Sequence, residues 1–263
     1  MHSDEFQRFI LQQGEELYRD MPWRQDTRPY YVLVSELMLQ QTQVDRVIPK
    51  FEMFVAAFPD EPALAAAPLA DVLRRWQGLG YNRRAKFLHE AAKKIVELGK
   101  FPDDEAGLLA LPGVGVNTAG AIRAYAYNQL AIFIETNVRA VYIHHFFDDQ
   151  GLVDDKDIRT LLEQTLDHDH PREFYWALMD YGSLLKRQGV TPSRSRHYKK
   201  QTPLQGSVRQ VRGQIMALLA YEDTTKSNLE AKFLDDERLE PALAGLIKDG
   251  LVILSGNNIH LTK

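Results

Sequence analysis

The chain has 263 residues, 44% of them hydrophobic and 26% charged, with a formal charge of −4. That length supports two or three lobes more readily than one, and the mild acidity gives no global sign of a polyanionic partner. There is no cysteine, which excludes disulfides, thiol catalysis, thiolate zinc sites and a cysteine-ligated iron–sulfur cluster.

Residues 4–19 read as a helix with Phe6, Phe9, Ile10 and Leu17 on its apolar face, ended by Pro22. Nothing at this start has the basic and apolar pattern of a signal peptide, and no run reaches membrane-spanning length, so the cytoplasm is expected, at the nucleoid in a bacterium. Tyr31 to Lys50 recovers a helical period. Pro59, Pro62 and Pro68 then punctuate helices near 49–57, 61–66 and 69–77. Arg83 to Leu98 is amphipathic, and helices at 104–110 and 117–127 flank a hairpin at Leu111–Gly115. Further helices fit 137–147, 155–165 and 171–186, and nothing before residue 200 alternates like a strand. Tyr181 to Tyr221 contains eight Lys or Arg and no Asp or Glu, and 191–206 reads as a basic linker. The tail fits helices at 207–220, 225–233 and 236–249, then Leu251–Leu254, a turn at 255–258, and Ile259–Leu261. Three helices closed by a small hairpin are a winged-helix pattern. Its third helix carries Glu237, Glu240, Lys248 and Asp249, a poor match to a groove-reading helix, so a protein partner or simple packing is as plausible there as DNA.

Three segments carry chemistry. In Leu111-Pro112-Gly113-Val114-Gly115, Pro112 restricts the turn, and the glycines open conformations closed to other residues and allow close backbone approach. The helix N-terminus behind it, with Thr118, favours phosphate, and the carbonyls of Leu111 and Val114 could hold a monovalent cation. Taken alone, such a turn is better read as purely structural. In Ser35–Gln43, helical spacing places Glu36 on one face with Gln40 and Gln43. Apolar neighbours would raise the pKa of Glu36 toward that of a general acid, while the glutamines suit base edges. A polar surface stripe is the competing reading. In Glu135-Thr136-Asn137-Val138-Arg139, Asn137 can cap the following helix, and the helix dipole would favour ionised Glu135. One neutral and one ionised carboxyl suit acid-assisted departure of a base with stabilisation of a cationic sugar.

Segment 22–200 resembles the helix-hairpin-helix DNA glycosylases, and among them the A/G-mismatch adenine DNA glycosylases. The resemblance is carried by Pro22-Trp23-Arg24, Ser35–Gln43, Gly78-Leu79-Gly80-Tyr81, Leu111–Gly115 with Thr118-Ala119-Gly120, Asn137-Val138-Arg139 and, more weakly, Met179-Asp180-Tyr181-Gly182. It implies a mainly α, two-lobed fold around a cleft that receives a flipped base, here with a winged-helix-like α+β tail. The expected division is 1–24 packing with a 131–190 lobe, a six-helix lobe at 25–130, the linker at 191–206, and the tail at 207–263. Glu36 then corresponds to the acid that protonates the leaving purine. Glu135 stands where the family has Asp, stabilising the oxocarbenium-like sugar. Trp23 and Arg24 line the base pocket with Gln40 and Asn117. Gln41 and Tyr81 enter the duplex near the lesion, and Gln43, the hairpin backbone, Arg194, Arg196, Lys199 and Lys200 contact DNA.

Bifunctional relatives have a catalytic Lys where this chain has Asn117, so little lyase activity is expected. Lys186 falls near the first cluster-ligand cysteine of relatives, and residues 201–263 do not resemble their usual 8-oxoguanine-reading domain. The resemblance therefore implies a monofunctional N-glycosylase acting on mismatched or damaged double-stranded DNA, with adenine as the base. A mismatched thymine or uracil, or a deaminated or alkylated purine, is an alternative, and a noncatalytic DNA-structure sensor is another. Trp76, Trp176, Phe174 and Tyr175 read as core aromatics, His144 and His145 as packing residues, and Asp167-His168-Asp169-His170 as a solvated turn rather than a metal site.

Overall fold

The computed structural model describes residues 2–147, 151–190, 192–198 and 202–263. The helices are α1 (Ser3–Leu17), α2 (Pro22–Gln25), α3 (Pro29–Leu39), α4 (Val44–Ala57), α5 (Glu61–Ala66), α6 (Leu69–Trp76), α7 (Arg83–Leu98), α8 (Glu105–Leu109), α9 (Val116–Tyr125), α10 (Thr136–Phe146), α11 (Asp155–Thr165), α12 (Pro171–Arg187), α13 (Val208–Tyr221), α14 (Lys226–Lys232) and α15 (Leu239–Lys248). Three short strands belong to the tail: β1 (Thr224–Thr225), β2 (Val252–Ser255) and β3 (Asn258–Leu261). The fold is mainly helical, of helix-hairpin-helix type, with a small winged-helix-like end.

The chain forms two compact units. The first takes its described residues from 1–33, 102–110 and 114–200. Its core is an α1–α12 pair joined by α10 and α11. Gly14 permits the close approach of α1 to α12, since a Cβ there would stand 2.6 Å from the Cβ of Ala177. Phe6 packs on Tyr142 and Phe146 at centroid distances of 5.2 and 4.8 Å, and Phe133 stacks on Tyr175 at 4.0 Å. The Tyr175 hydroxyl donates to the Ala131 carbonyl and accepts from the Phe133 amide. That pins the extended segment leading to Glu135. Residues 192–198 are folded rather than a free tether. Pro192–Arg194 forms a 3-10 turn, and Val153 and Ser195 make a parallel bridge through Val153 N to Arg194 O (2.8 Å) and Arg196 N to Val153 O (3.0 Å).

The second unit takes 34–101, 111–113 and the described residues of 201–263. Phe51, Phe54, Leu64, Val72, Leu73, Trp76, Leu88 and Ile95 fill its core. The tail contributes Val211, Ile215, Leu219, Leu243 and Leu246, and α13 packs on both α15 and α6. The sheet order is β1-β3-β2, all antiparallel, with Val252 opposite Leu261 and Thr224 opposite Ile259. β1 is two residues long, too short to leave an alternating signal in sequence; Thr225 also caps α14 by accepting from the Asn228 amide. The end of α15 is docked within this unit. The Asp249 carboxylate pairs with Arg212 at 2.5 Å, and Lys86 of α7 donates to the Asp249 carbonyl at 3.0 Å. Packing thus accounts for the acidic end of this helix.

Candidate functional site

Glu36 sits in the last turn of α3, half-buried between buried Ser35 and Leu37. The sequence period suggests a helix running on to Lys50, but α3 stops at Leu39, and α4 starts at Val44 with Pro49 inside it. The break comes from tertiary structure. Helix ends leave carbonyls without partners, and the buried guanidinium of Arg84 collects those of Leu37 (2.7 Å), Met38 (2.9 Å) and Gln40 (2.6 Å). Gln41 then turns left-handed at φ 56, and Gln43 becomes the N-cap of α4. The helical face expected to join Glu36 with Gln40 and Gln43 therefore does not exist. Instead Gln40, Gln41 and Gln43 are exposed on a tight reversal.

The same guanidinium donates to the carbonyls of Leu79 (3.1 Å) and Gly80 (3.0 Å), binding this reversal to the Gly78–Tyr81 loop. In that loop Gly78 and Gly80 have φ of 97 and 71, and Tyr81 has φ 47. Four non-glycine residues among those described have positive φ: Gln41, Tyr81, Asn128 and Asp235. Asn and Asp tolerate that region; Gln and Tyr do so only under constraint, at about 1–3 kcal/mol each. The unusual strain thus falls on the two residues that the resemblance assigns to the lesion, and one buried arginine holds both. Burial pushes the Arg84 pKa down to about 10, so it stays charged at neutral pH.

In the hairpin, Gly113 needs its glycine twice over: φ is 77, and a Cβ would stand 2.6 Å from that of Phe87. Gly115 does not need unusual conformational freedom, because its φ of −97 suits any residue. What it provides is open space where a Cβ would meet nothing within 4 Å. It is the N-cap of α9 and offers no side chain to the first turn, so those N–H groups keep the anion-binding character of a helix start. The side chains of Leu111, Val114 and Thr118 are buried.

Glu135 is the N-cap of α10 and its side chain makes no capping bond. The dipole was expected to favour its ionised form, but burial dominates and raises its pKa above the ordinary value. Arg139 and Lys186 pull the other way without reversing the shift. Asn137 is not the cap. It lies inside α10 with Nδ2 3.5 Å from the Met179 sulfur, while its Oδ1 is buried without a hydrogen-bond partner. Gly182 of α12 leaves room for it, since a Cβ there would be 2.8 Å from both the Cβ and the carbonyl oxygen of Asn137. Asn117 clasps the segment before Glu135. Its Nδ2 donates to the Ile134 carbonyl at 3.0 Å, and its Oδ1 accepts from the Ile134 amide at 3.4 Å. Arg139 forms a two-point pair with Asp155 at 2.7 and 2.6 Å.

Trp23 and Arg24 are buried on α2. Arg24 grips Asp180 at 2.7 and 3.0 Å, and Arg19 reaches the same carboxylate at 2.6 Å. The Arg24 guanidinium also lies 5.2 Å from the Trp176 ring. Both of its Nη atoms are thus engaged within the first unit. Among the basic residues after α12, Arg194 donates to the Phe147 carbonyl, and Arg196 is exposed. Lys199 and Lys200 lie outside the described residues. His145 bonds the Tyr181 hydroxyl at 3.0 Å, and Asp167 caps its own turn through the amides of Asp169 and His170.

An iron–sulfur cluster, which the resemblance brings with it, does not fit this chain. There is no cysteine to bind one, and among the described residues no group of three or more His, Asp or Glu could hold a metal ion. Sequence reasoning missed the roles of Arg84, Asn117 and Asp180, and only the three-residue step from Tyr81 to Arg84 hints at the first.

Residues 34–167 match the model of the HhH-GPD superfamily base excision DNA repair proteins. An adenine DNA glycosylase of Mycobacterium tuberculosis is 36% identical, the match covering 89% of this chain and 86% of that protein. One from Mycolicibacterium smegmatis is 37% identical, covering 89% and 88%. Matches of that extent reach into residues 201–263, so the tail is not foreign to such relatives. Among solved structures, a thermostable thymine-DNA glycosylase superposes with a TM-score of 0.61 at 25% identity, over 68% of this chain and 85% of that one.

Proposed function

The chain belongs to the HhH-GPD superfamily of base excision DNA repair proteins, and we propose that it is a monofunctional DNA N-glycosylase removing adenine from a mismatch. The observation that carries the choice of base is the near full-length likeness to two proteins named adenine DNA glycosylase. DNA is then its partner and the cytoplasm its place. Among the described residues no helix is long and apolar enough to cross a membrane.

In this reading the adenine is swung out of the duplex and Glu36 donates a proton to a ring nitrogen. The base leaves with the electron pair of the glycosidic bond, and the sugar becomes oxocarbenium-like. Glu135 stabilises that cation, and water adds to the sugar carbon as its proton passes to a carboxylate. A developing positive charge favours ionised Glu135, offsetting the burial that raises its pKa in the free protein. Trp23, Gln40 and Asn117 serve the base pocket. Asn117 also steadies Glu135 through Ile134, and as an amide it cannot form the Schiff base of a lyase. Gln41 and Tyr81 occupy the gap left in the duplex. The hairpin amides, Gln43, Arg194, Arg196, Lys199 and Lys200 contact phosphates.

Incubation with duplexes containing 8-oxoguanine:A, G:A, G:T, G:U and hypoxanthine, followed by alkali, tests the reading. Cleavage confined to the adenine strand supports it. The likeness to a thymine-DNA glycosylase favours G:T as the second candidate, and cleavage confined to the thymine strand would replace adenine with thymine.

A further inference from the structure

Within the first unit, one face of α12 runs past the start of α10 and ends on a lysine. Met179, Gly182 and Lys186 follow one another at steps of three and four residues, so they share that face. The first two meet Asn137. The Met179 sulfur is 3.5 Å from its Nδ2, and a Cβ on Gly182 would stand 2.8 Å from its Cβ. Asn137 is two residues beyond Glu135, and Lys186 is one helical turn beyond Gly182. Lys186 is exposed and Glu135 half-buried.

Charge matching singles out these two. Arg139 and Lys186 both act on the Glu135 carboxylate, and Arg19 acts on Lys186. Arg139 of α10 is already held by Asp155 of α11 at 2.7 and 2.6 Å. Arg19, just after α1, is held by Asp180 of α12 at 2.6 Å, and the same carboxylate takes Arg24. Among the described residues, neither the Glu135 carboxylate nor the Lys186 ammonium has a hydrogen bond or an ion pair. Desolvation raises the Glu135 pKa and lowers that of Lys186, while the charge of each opposes the other's shift. An opposite charge brought close keeps a desolvated carboxyl ionised, and the flexible stem of a lysine can bring one.

We propose that Lys186 is the counter-ion of Glu135, a positioning residue whose ammonium swings onto that carboxylate and holds it charged. Its role in base excision rests on the function proposed above; the ion pair itself does not. In that reaction Lys186 acts through Glu135 and not on the base or the sugar. It keeps in place the negative charge that a cationic sugar needs.

Lys186→Met removes the charge and keeps an unbranched stem, while Lys186→Arg keeps the charge. An exposed position at a helix end tolerates both. The full chain and both variants are prepared with glutamate carrying a carbon label at its side-chain carboxyl. The Glu135 signal is assigned by its loss in Glu135→Gln, and its titration is followed by NMR without DNA. Single-turnover release from an 8-oxoguanine:A duplex is then measured at saturating protein across pH, with melting temperature and DNA affinity alongside. The expected result is that Glu135 titrates at higher pH in Lys186→Met than in wild type, and that Lys186→Arg stays close to wild type. Release by Lys186→Met should slow by about tenfold near pH 6 and recover toward pH 8, at an unchanged melting temperature. An unmoved Glu135 titration in Lys186→Met overturns the pair, even where DNA affinity falls. A rate lowered equally at every pH overturns the positioning role. Absence of release by wild type contradicts the proposed function instead, and the titration still decides the pair.

Discussion

Replacing Arg84 with lysine keeps the charge but removes the fork that joins two chain segments. The guanidinium donates to three carbonyls at the end of α3 through Nη1 (Leu37, Met38 and Gln40), and to Leu79, Gly80 and the Thr42 hydroxyl through Nη2. A single ammonium cannot reach both sets. At least two charge-assisted bonds are lost, each worth about 1.5–3 kcal/mol, and buried carbonyls are left bare. A loss of about 3–5 kcal/mol follows. At roughly 2–4 °C per kcal/mol for chains near this size, Arg84→Lys should melt on the order of 10 °C below wild type. The damage should also be directional. Gln41 and Tyr81 are held left-handed by this grip, so relaxation of both loops should weaken affinity for mismatched duplex beyond what the unfolded fraction explains. Circular dichroism melting and fluorescence anisotropy, both run well below the midpoint, measure the two effects. A variant within about 1 kcal/mol of wild type and with unchanged affinity would refute the idea that this residue organises the loops.

Glu135→Gln should remove most turnover yet fold at least as stably as wild type at pH 7. Burial raises the Glu135 pKa, so between the ordinary value of 4.5 and its raised value the folded state holds more protons than the unfolded. Wild-type stability therefore falls as pH rises through that window, and the advantage of glutamine should vanish below it in denaturant titrations. Asp180→Asn strips the carboxylate from Arg24, whose side chain is 2% exposed, and should destabilise by about 3–5 kcal/mol, read as a lowered urea midpoint. In Gly120→Ala the new Cβ would stand 2.8 Å from that of Phe133, and overpacking of about 1–3 kcal/mol should outweigh the gain in helix propensity. A rise in melting temperature would show that the Phe133–Tyr175 stack can yield.

Most helices were legible in sequence because proline, glycine and apolar spacing are local signals; α7 spans Arg83–Leu98 as its periodicity indicates. The end of α3 was not legible, because Arg84 sets it from more than forty residues away. The same holds for Gln43, whose place on a helical face dissolved once that turn formed. The acidic character of Glu135 was visible, but its pKa direction was not. A helix dipole is a local inference, whereas burial depends on the whole lobe. In sequence Asn117 stands out only for the lysine that bifunctional relatives carry there, while its structural work, a clasp on Ile134, depends on a partner seventeen residues on.

In the proposed reaction a protonated Glu36 drives departure of adenine. Single-turnover excision from an 8-oxoguanine:A duplex, measured for wild type and Glu36→Gln with affinity determined in parallel, tests it most directly. The expected result is adenine release by wild type, and a rate reduced by about a hundredfold or more in the variant at nearly equal affinity. Release at comparable rates by both proteins would contradict the assignment of the acid, and no release by wild type despite tight binding would contradict the activity.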